Sequence, residues 1–286
     1  MWKEKHPNNA PKWPAGVRLP IILSVHHQSE EAAAVFADGQ LDPFDHSEKQ
    51  YGGRRGAWRL LEIMAKHGVR GTWLICGATS EKYPQVSREV KKAGHSIAGH
   101  TYEHEMMCNL PPEKELELIR KTVSVFENLL GEHLRGWRTC FASHHTMDLL
   151  LEHFDFQWDG SMWNDDLPYM VEGHGHEILE IPFASYSDAA LAVQITNPFP
   201  VNPYVTWLSN TPDFMLQALK TSFDALYERA AQKAVMMPLA VHDFIVGRPS
   251  RSKILDEFIT YAKQFEGVAF TTHDELAGWW RAYMAD

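Results

Sequence analysis

The sequence predicts an α/β protein built on a parallel sheet or barrel. Short apolar runs typical of strands alternate with amphipathic helical segments along most of the chain, as expected for parallel strands joined by helices. No linker, internal repeat or low-complexity segment divides the 286 residues, of which 44% are hydrophobic, enough for one large core. We therefore expect a single domain over residues 1–286, in which residues 1–15 form an N-terminal extension.

The first half of the chain shows this alternation clearly. The apolar run around Ile21-Ile22-Leu23 predicts a strand over residues 17–25, and apolar residues at helical spacing predict a helix over 54–67. A long helix over 111–130 begins at a proline pair and ends at Gly131, which are common start and stop signals. The other elements predicted in this half are strands at 71–76, 96–98, 134–138 and 156–158 and helices at 84–93 and 146–153.

The second half contains one region that interrupts the alternation. Residues 163–212 are rich in Gly, Pro, Asn and aromatic residues, and we expect capping loops over one end of the barrel. Their aromatic side chains would cover a small flat ligand; they are Trp163, Tyr169, Phe183, Tyr186, Phe199, Tyr204 and Trp207. The remaining predicted elements are strands at 178–182, 191–195, 237–241 and 268–270 and helices at 213–232, 254–265 and 273–280.

Composition excludes several classes of function. The 27 basic and 37 acidic residues give a net charge of −10 and form no basic stripe, so we expect no nucleic-acid partner. No apolar stretch is long enough to span a bilayer, and the N-terminus lacks the apolar core of a signal peptide. Three cysteines without a CxxC pattern fit a reducing cytoplasm. We expect a cytoplasmic protein with a small-molecule substrate, assembled as a homo-oligomer.

Two histidines predict a metal site. In Gly99-His100-Thr101-Tyr102-Glu103-His104 they are four residues apart, so that both imidazoles would reach one ion from a helical turn. The segment follows a short strand, and α/β enzymes keep their chemistry at the carboxyl ends of strands. The alternative is that His100 and His104 are surface histidines at the start of a helix.

Polar side chains also follow the other predicted strands. In an extended first strand His26 and Gln28 face one way and His27 the other, whereas a bulge would turn both histidines inward. Because the carboxyl ends of parallel strands meet at one rim, we expect a convergence of six residues there. They are His26, His100, His104, Arg138, Asp159 and His242.

Several motifs together resemble those of the polysaccharide deacetylase (NodB-homology) superfamily over residues 16–280. The His100–His104 segment is similar to the superfamily's H-[ST]-x-x-H metal motif. The other matching segments are His67-Gly68-Val69-Arg70-Gly71-Thr72-Trp73, Gly136-Trp137-Arg138, Asp159-Gly160-Ser161, Asp165-Asp166-Leu167-Pro168-Tyr169 and the stretch from Val241-His242-Asp243 to Gly247-Arg248-Pro249-Ser250-Arg251.

The resemblance is greatest to the branch of cyclic imide hydrolases, metal-free allantoinase-like proteins and some peptidoglycan deacetylases. It implies an irregular (β/α)7 barrel of parallel strands with flanking helices. It also implies hydrolysis of an amide, in which water assisted by a metal attacks the carbonyl. We expect a hydrolase that opens a small cyclic amide, which would be a cyclic imide, a hydantoin-like ring or allantoin. The alternatives are a deacetylase of an amino sugar or another N-acetylated compound, and a degenerate barrel that binds a small ligand.

The first strand departs from the superfamily's pattern. Where the superfamily has two Asp residues, one the base and one a metal ligand, this chain has Val25-His26-His27-Gln28. His26 takes the position of the base under either of two alignments, and an imidazole suits that role near neutral pH. His27 takes the ligand position in one alignment and Gln28 takes it in the other. In the arginine motif, Cys140 stands where the superfamily usually has Pro.

The resemblance implies zinc as the cofactor. With His100 and His104 as two ligands, a neutral His27 or His26 would complete a three-histidine site. Gln28 and Glu30 are the remaining candidates for the third ligand. The alternatives are another divalent metal or no metal. Allantoinase-like members lack the Asp motif, as this chain does, but they also tend to lose the second metal histidine, which this chain keeps as His104.

The remaining polar residues have expected roles in the same reaction. His242 would act as the general acid that protonates the leaving nitrogen. Arg138 would hold Asp159, and Asp159 could instead hold His242. Glu30 would replace the missing base or orient His26, unless it begins a solvated helix.

A glycine-rich segment precedes the first long helix. The glycines and the helix N-terminus of Gly52-Gly53-Arg54-Arg55-Gly56 would offer backbone donors to a substrate carbonyl. The alternative is a flexible turn.

Overall fold

The computed structural model describes residues 2–7, 11–33, 40–139, 141–183, 188 and 211–285. The strands are β1 (Lys3–Lys5), β2 (Leu19–His27), β3 (Thr72–Ile75), β4 (Ser96–Gly99), β5 (Gly136–Trp137), β6 (Trp158–Asp159), β7 (Tyr169–Gly173), β8 (His176–Glu180), β9 (Met237–His242) and β10 (Val268–Thr271). The helices are α1 (Pro43–Lys49), α2 (Ala57–His67), α3 (Gly77–Lys82), α4 (Pro84–Lys92), α5 (Pro112–Leu130), α6 (Thr146–His153), α7 (Pro212–Arg229), α8 (Pro249–Ala262) and α9 (His273–Ala285).

The strands form a mostly parallel sheet, which confirms the predicted α/β barrel class. β2 pairs in parallel with β3, β9 and β10, and the parallel pairing continues from β3 through β4, β5 and β6 to β8. β7 and β1 then extend the sheet as antiparallel strands. Within the described ranges, no helix is both long and apolar enough to cross a membrane.

Side chains of β2 alternate between two separate apolar clusters. Ile21, Leu23 and Val25 pack with the flanking helices in the larger cluster. Ile22 faces the inside of the barrel, where it packs with residues of several other strands and with Trp280 of α9. Because successive strand residues point to opposite faces, His26 continues the inward row and His27 the outward row.

The predicted elements are found with shifted boundaries, and some short elements were missed. β1, α1 and α3 were not predicted, because three to seven residues carry too little periodicity to be recognised. The α5 helix ends at Gly131 as predicted, with φ of +69° at that glycine. The predicted strand at 191–195 lies outside the described residues, as do Cys140 and the capping-loop aromatics Tyr186, Phe199, Tyr204 and Trp207.

Part of the predicted capping region is a β-hairpin rather than loop. β7 and β8 pair in antiparallel register around the two-residue turn His174-Gly175, both of which have positive φ. A two-residue turn with positive φ at both positions matches the twist of the flanking strands. Only the second strand of this hairpin was predicted, because a His-Gly pair is a weaker turn signal than Asn-Gly.

Candidate active site

The candidate site lies at the carboxyl ends of β2, β4 and β9, inside the barrel. His26 and His242 are direct neighbours in the parallel pairing of β2 with β9, and His100 follows the end of β4. Of the two arrangements considered for the first strand, the structure has the extended one, without a bulge. The strand therefore presents His26 and Gln28 inward, and His27 outward.

The segment of His100 and His104 is a loop, so the predicted helical turn was wrong. Thr101 and His104 have φ of +60° and +57°, a left-handed conformation that no α-helix accommodates. The loop nevertheless brings the two rings together, with centroids 5.1 Å apart. The four-residue spacing correctly predicted that the two imidazole rings are close, but the helical turn on which that prediction was based is not present.

The structure brings four imidazoles together. The rings of His26 and His242 are stacked, with centroids 4.5 Å apart and planes at 25°. Nδ1 of His26 lies 3.4 Å from Nε2 of His100, and the two rings meet edge to face. Nε2 of His100 also lies 3.2 Å from Oε1 of Gln28. These residues form the imidazole cluster, defined as His26, His100, His104 and His242.

The hydrogen bonds define which nitrogens carry protons. Nδ1 of His100 lies 2.9 Å from the carbonyl oxygen of Arg138, which can only accept, so this nitrogen carries hydrogen. Nε2 of neutral His100 is then an acceptor. Nδ1 of His26 at 3.4 Å can donate to it, whereas the amide oxygen of Gln28 at 3.2 Å cannot. This leaves Nε2 of His26 with a lone pair, and that atom is buried without a hydrogen-bond partner among the described residues.

Burial keeps His26, His100 and His104 neutral. Desolvation, with positive charge on His242 as the next cause, lowers the pKa of His26 well below its ordinary value. Desolvation and the charges of His104 and Arg138 do the same to the pKa of His100. The pKa of His104 is lowered to about 3, mainly by desolvation. Neutral imidazoles at physiological pH retain the lone pairs that proton abstraction or metal binding requires.

Asp188 orients His242. Its Oδ1 lies 2.6 Å from Nδ1 of His242, and its Oδ2 accepts the backbone N–H of the same residue at 2.7 Å. Because the carboxylate accepts the Nδ1 proton, Nε2 is the nitrogen of His242 that exchanges protons with a ligand. This is the carboxylate–imidazole arrangement that orients histidines in acid–base catalysis.

Two aromatic side chains, Phe183 and Trp163, form an aromatic wall beside the imidazole cluster. The ring of Phe183 is 5.6 Å from that of His26 and 3.8 Å from the guanidinium carbon of Arg138. Trp163 contacts Phe183 at 4.9 Å and is 57% exposed. Arg138 also donates to the carbonyl of Gly160. The wall thus joins a buried cation to an exposed aromatic surface, next to the candidate base.

Asp159 is hydrogen-bonded to Ser161, whereas the carboxylate bonded to His242 is that of Asp188, contrary to one of the predicted roles of Asp159. Its two oxygens accept from the hydroxyl and the backbone N–H of Ser161, at 2.8 and 3.0 Å. Its registered neighbour on β8 is Glu180, also fully buried. The charge of Arg138 acts on Asp159, but burial dominates and raises the pKa of this carboxyl. Glu180 was not predicted, since it is one acid at the end of an alternating strand.

Glu180 is expected to make stability fall as pH rises. Burial and the adjacent Asp159 raise its pKa well above the ordinary 4.5. Above pH 4.5 the unfolded chain loses this proton while the folded protein keeps it, so the free energy of unfolding declines until the folded pKa is passed. Glu180→Gln keeps an N–H donor toward Asp159 but has no proton to lose, so it removes the contribution of Glu180 to the fall in the free energy of unfolding with pH. Denaturant unfolding across pH measures it, with exposed Glu177→Gln as control; equal slopes in wild type and Glu180→Gln would contradict the assignment.

Two other predicted residues are placed apart from the cluster. His27 is on the outer face of β2, where its Nδ1 lies 2.7 Å from Oδ2 of Asp243. The alternating faces of the strand therefore rule out His27 as a ligand shared with His100 and His104. Glu30 is 6% exposed and accepts from the hydroxyl of Tyr83, so it neither orients His26 nor begins a solvated helix.

The glycine-rich segment is a π-helical turn rather than a flexible loop. It spans Gly52–Gly56 and leads directly into α2. A Cβ at Gly52 would stand 2.5 Å from the carboxyl group of Asp243, and one at Gly53 would stand 2.4 Å from the ring of Tyr83. Close packing against these side chains explains the glycines better than the predicted role in holding a substrate carbonyl.

The zinc site that the resemblance implies is incomplete among the described side chains. Among the residues described, no group of three or more His, Cys, Asp or Glu side chains is arranged to hold a metal ion. His27 is excluded by its orientation, and Gln28 offers His100 only an amide. Zinc prefers histidine, thiolate and carboxylate ligands.

Comparisons with known proteins agree with this fold. A family profile of polysaccharide deacetylases matches residues 33–151. A Schizosaccharomyces pombe protein described as a polysaccharide deacetylase is 30% identical over 243 residues, which cover 82% of this chain and 75% of the relative. A Helicobacter pylori peptidoglycan deacetylase is 25% identical, over 84% and 88% of the two chains. The crystal structure of PuuE allantoinase superposes with a TM-score of 0.86 at 26% identity, over 96% and 94%.

The fold is an α/β barrel with a polar candidate active site at the carboxyl ends of its strands. The chain belongs to the polysaccharide deacetylase family, as the motifs had indicated. Its family and its structural similarity to an allantoinase support a hydrolase that acts on a carbon–nitrogen bond.

Proposed function

We propose that the protein hydrolyses a carbon–nitrogen bond in a small cyclic amide, such as a cyclic imide, a hydantoin-like ring or allantoin. The observation that carries this proposal is the stacked pair of His26 and His242. Hydrogen bonds at Nδ1 of each ring leave Nε2 of each as the reacting nitrogen. Two adjacent imidazoles of this kind supply the base and the acid that amide hydrolysis needs.

His26 is the proposed base. A water molecule gives a proton to the lone pair on Nε2 of His26 as its oxygen bonds to the ring carbonyl. The carbonyl oxygen becomes negatively charged, and the charge of Arg138 favours this intermediate. The low pKa of His26 keeps its lone pair free before the reaction, and the developing negative charge strengthens it as a base during the attack.

His242 is the proposed acid. When the bond between the carbonyl carbon and the ring nitrogen breaks, Nε2 of His242 donates a proton to that nitrogen. The carboxylate of Asp188 compensates the charge that His242 carries before this transfer. One water is consumed, the ring opens to an acid and an amide, and solvent returns the proton from His26 to His242.

The aromatic wall and one structural relative support a small flat substrate. Trp163 and Phe183 offer ring faces beside His26, and aromatic faces stack on planar rings. PuuE allantoinase, whose structure is similar along nearly the whole chain, is an allantoinase by name. The second candidate function is removal of an acetyl group from an amino sugar. The similarity to the H. pylori peptidoglycan deacetylase favours this candidate.

We expect ring opening to survive chelation. The test is to assay the protein with succinimide, hydantoin and allantoin before and after EDTA treatment, with metal analysis of the same samples. Acetate release from N-acetylglucosamine oligomers is followed in parallel. Retained ring opening with sub-stoichiometric zinc is the expected result, because the two imidazoles need no Lewis acid. About one zinc per chain with activity lost on chelation would contradict the metal-independent scheme, and acetate release without ring opening would favour the deacetylase.

A further inference from the structure

Two buried residues contact each other behind the candidate site. His27 stands where one alignment expects the second Asp, and Asp243 directly follows His242. Nδ1 of His27 lies 2.7 Å from Oδ2 of Asp243, although 216 residues separate them. Both side chains are fully buried. Neither belongs to the imidazole cluster, and the reaction proposed above uses neither.

Asp243 is fully engaged by three donors. Its Oδ2 accepts from His27 and from the hydroxyl of Ser29 at 2.8 Å, and its Oδ1 accepts from the backbone N–H of Phe244 at 2.8 Å. Ser29 has φ of +43°, an unfavourable conformation for serine that places its hydroxyl on the carboxylate. We call His27, Ser29 and Asp243 the Asp243 clasp.

The clasp lies where the pairing of β2 and β9 ends. His26 and His242 are the last registered pair, followed by one further hydrogen bond from the backbone N–H of Asp243 to the carbonyl of His26. Beyond this point the chain turns away. Strand ends are prone to fraying, because they have few ladder hydrogen bonds to hold them. The clasp adds a buried side-chain connection between the two strands at that position.

The same two strands carry the reacting pair on their other face. One residue before His27 and Asp243, the side chains of His26 and His242 point inward and stack at 4.5 Å. That spacing is close to the separation of neighbouring strands, about 4.8 Å. A sideways or lengthwise shift of the β9 end would therefore disturb the outward hydrogen bond and the inward stack together.

Two glycines allow neighbouring segments to pack closely against the backbone of Asp243. A Cβ at Gly56 or at Gly247 would stand 1.9 Å from the carbonyl oxygen of Asp243. The π-helical turn can approach the backbone of Asp243 this closely only because these positions lack side chains. The end of β9 is thus enclosed by β2, by the turn Gly52–Gly56 and by its own following loop.

We propose that His27 and Asp243 are positioning residues that set the geometry of His242 against His26. Loss of the clasp lowers kcat through misalignment of the acid and the base, with little change in KM. This inference rests on the proposed function for its kinetic consequence. Its structural consequence, a displaced His242 ring, can be measured without any substrate.

The test compares three variants with wild type. Asp243→Asn keeps the shape but turns an amide N–H toward the backbone N–H of Phe244, or loses its acceptor toward His27. Ser29→Ala removes one donor and keeps the His27–Asp243 bond, so it remains useful if the first variant folds poorly. Asp256→Asn is the matched control, because Asp256 accepts from His67 at 2.6 Å and joins α2 to α8 away from the cluster.

Two measurements are made on each folded variant: the ring-proton NMR shifts of His242, and kcat and KM for a ring substrate that wild type opens. We expect the His242 signals to move toward their positions in a His26→Asn reference, which lacks the stack. We expect kcat to fall about tenfold or more in Asp243→Asn, by less in Ser29→Ala, and not in Asp256→Asn. Unmoved signals and wild-type kcat in folded Asp243→Asn would overturn the inference. If wild type opens no ring, the proposed function fails, and the NMR shifts alone still decide the role of the clasp.

Discussion

Replacing His26 with asparagine is expected to lower kcat by about 10²–10⁴-fold, the contribution of a general base. Asparagine keeps a polar side chain inside the barrel but has no lone pair basic enough to take a proton from water. The fold should persist, because the contacts of His26 are with other site residues rather than with the apolar clusters. Steady-state kinetics with the ring substrate, together with thermal unfolding of the variant, measure both parts.

His95→Gln is the control for this variant. His95 is another neutral histidine, with its pKa lowered to about 4 chiefly by desolvation, but it lies beside Arg70 and away from the cluster. Its kcat should match wild type. Turnover close to wild type in His26→Asn would remove the assignment of the base.

The pH profile of the wild-type protein tests the same residue independently. Burial and nearby cations lower the pKa of His26, so its lone pair stays free below the ordinary 6.5. Activity that needs the neutral base is lost only when pH falls through this lowered value. The acidic limb of kcat/KM, which reports groups of the free protein, should therefore lie well below pH 6.5. A limb at or above 6.5 would assign the base to another group.

Asp188→Asn is expected to lower kcat on the order of 10²–10⁴-fold. The carboxylate now accepts both the ring N–H and the backbone N–H of His242. An amide can accept only one of these and turns a donor toward the other. Either the strand end loses a hydrogen bond or the ring changes its tautomer, and Nε2 then no longer holds the proton needed by the leaving nitrogen.

Imidazole NMR shifts separate these effects from simple unfolding. In folded Asp188→Asn, the nitrogen shifts of His242 should report a changed tautomer while those of His100, bonded to the carbonyl of Arg138, stay in place. His273, buried and stacked on Trp158, is an internal reference. A folded variant with wild-type kcat and an unchanged His242 tautomer would contradict the role of Asp188.

Much of the site could be anticipated because strand ends are visible in sequence. Apolar runs ending in polar residues located His26, His100 and His242, and the parallel arrangement implied that their strands end at one rim. The alternation of strand side chains also offered the correct choice for His27, since an extended strand points it away from His26. Assigning His27 to the metal required a bulge that the structure does not contain.

The partners of these residues could not be anticipated. Asp188 is 54 residues from His242 and lies in a segment with no recognisable motif. Glu180 meets Asp159 only because β8 is registered against β6, and no local pattern encodes that register. The loop of His100 and His104 depends on two non-glycine residues with positive φ, which the surrounding packing must impose.

The sequence by itself determined the class of fold, the family and the strand ends that carry polar residues, because these follow from short-range periodicity and local motifs. Only the tertiary structure decided which face each histidine occupies in practice, which carboxylate orients His242 and that His27 and Asp243 contact each other. Such contacts depend on strand register and on the curvature of the sheet, which arise from the packing of the whole chain. The strength of a hydrogen bond changes when the distance between donor and acceptor changes by a few tenths of an ångström. The order of residues alone does not specify distances on that scale.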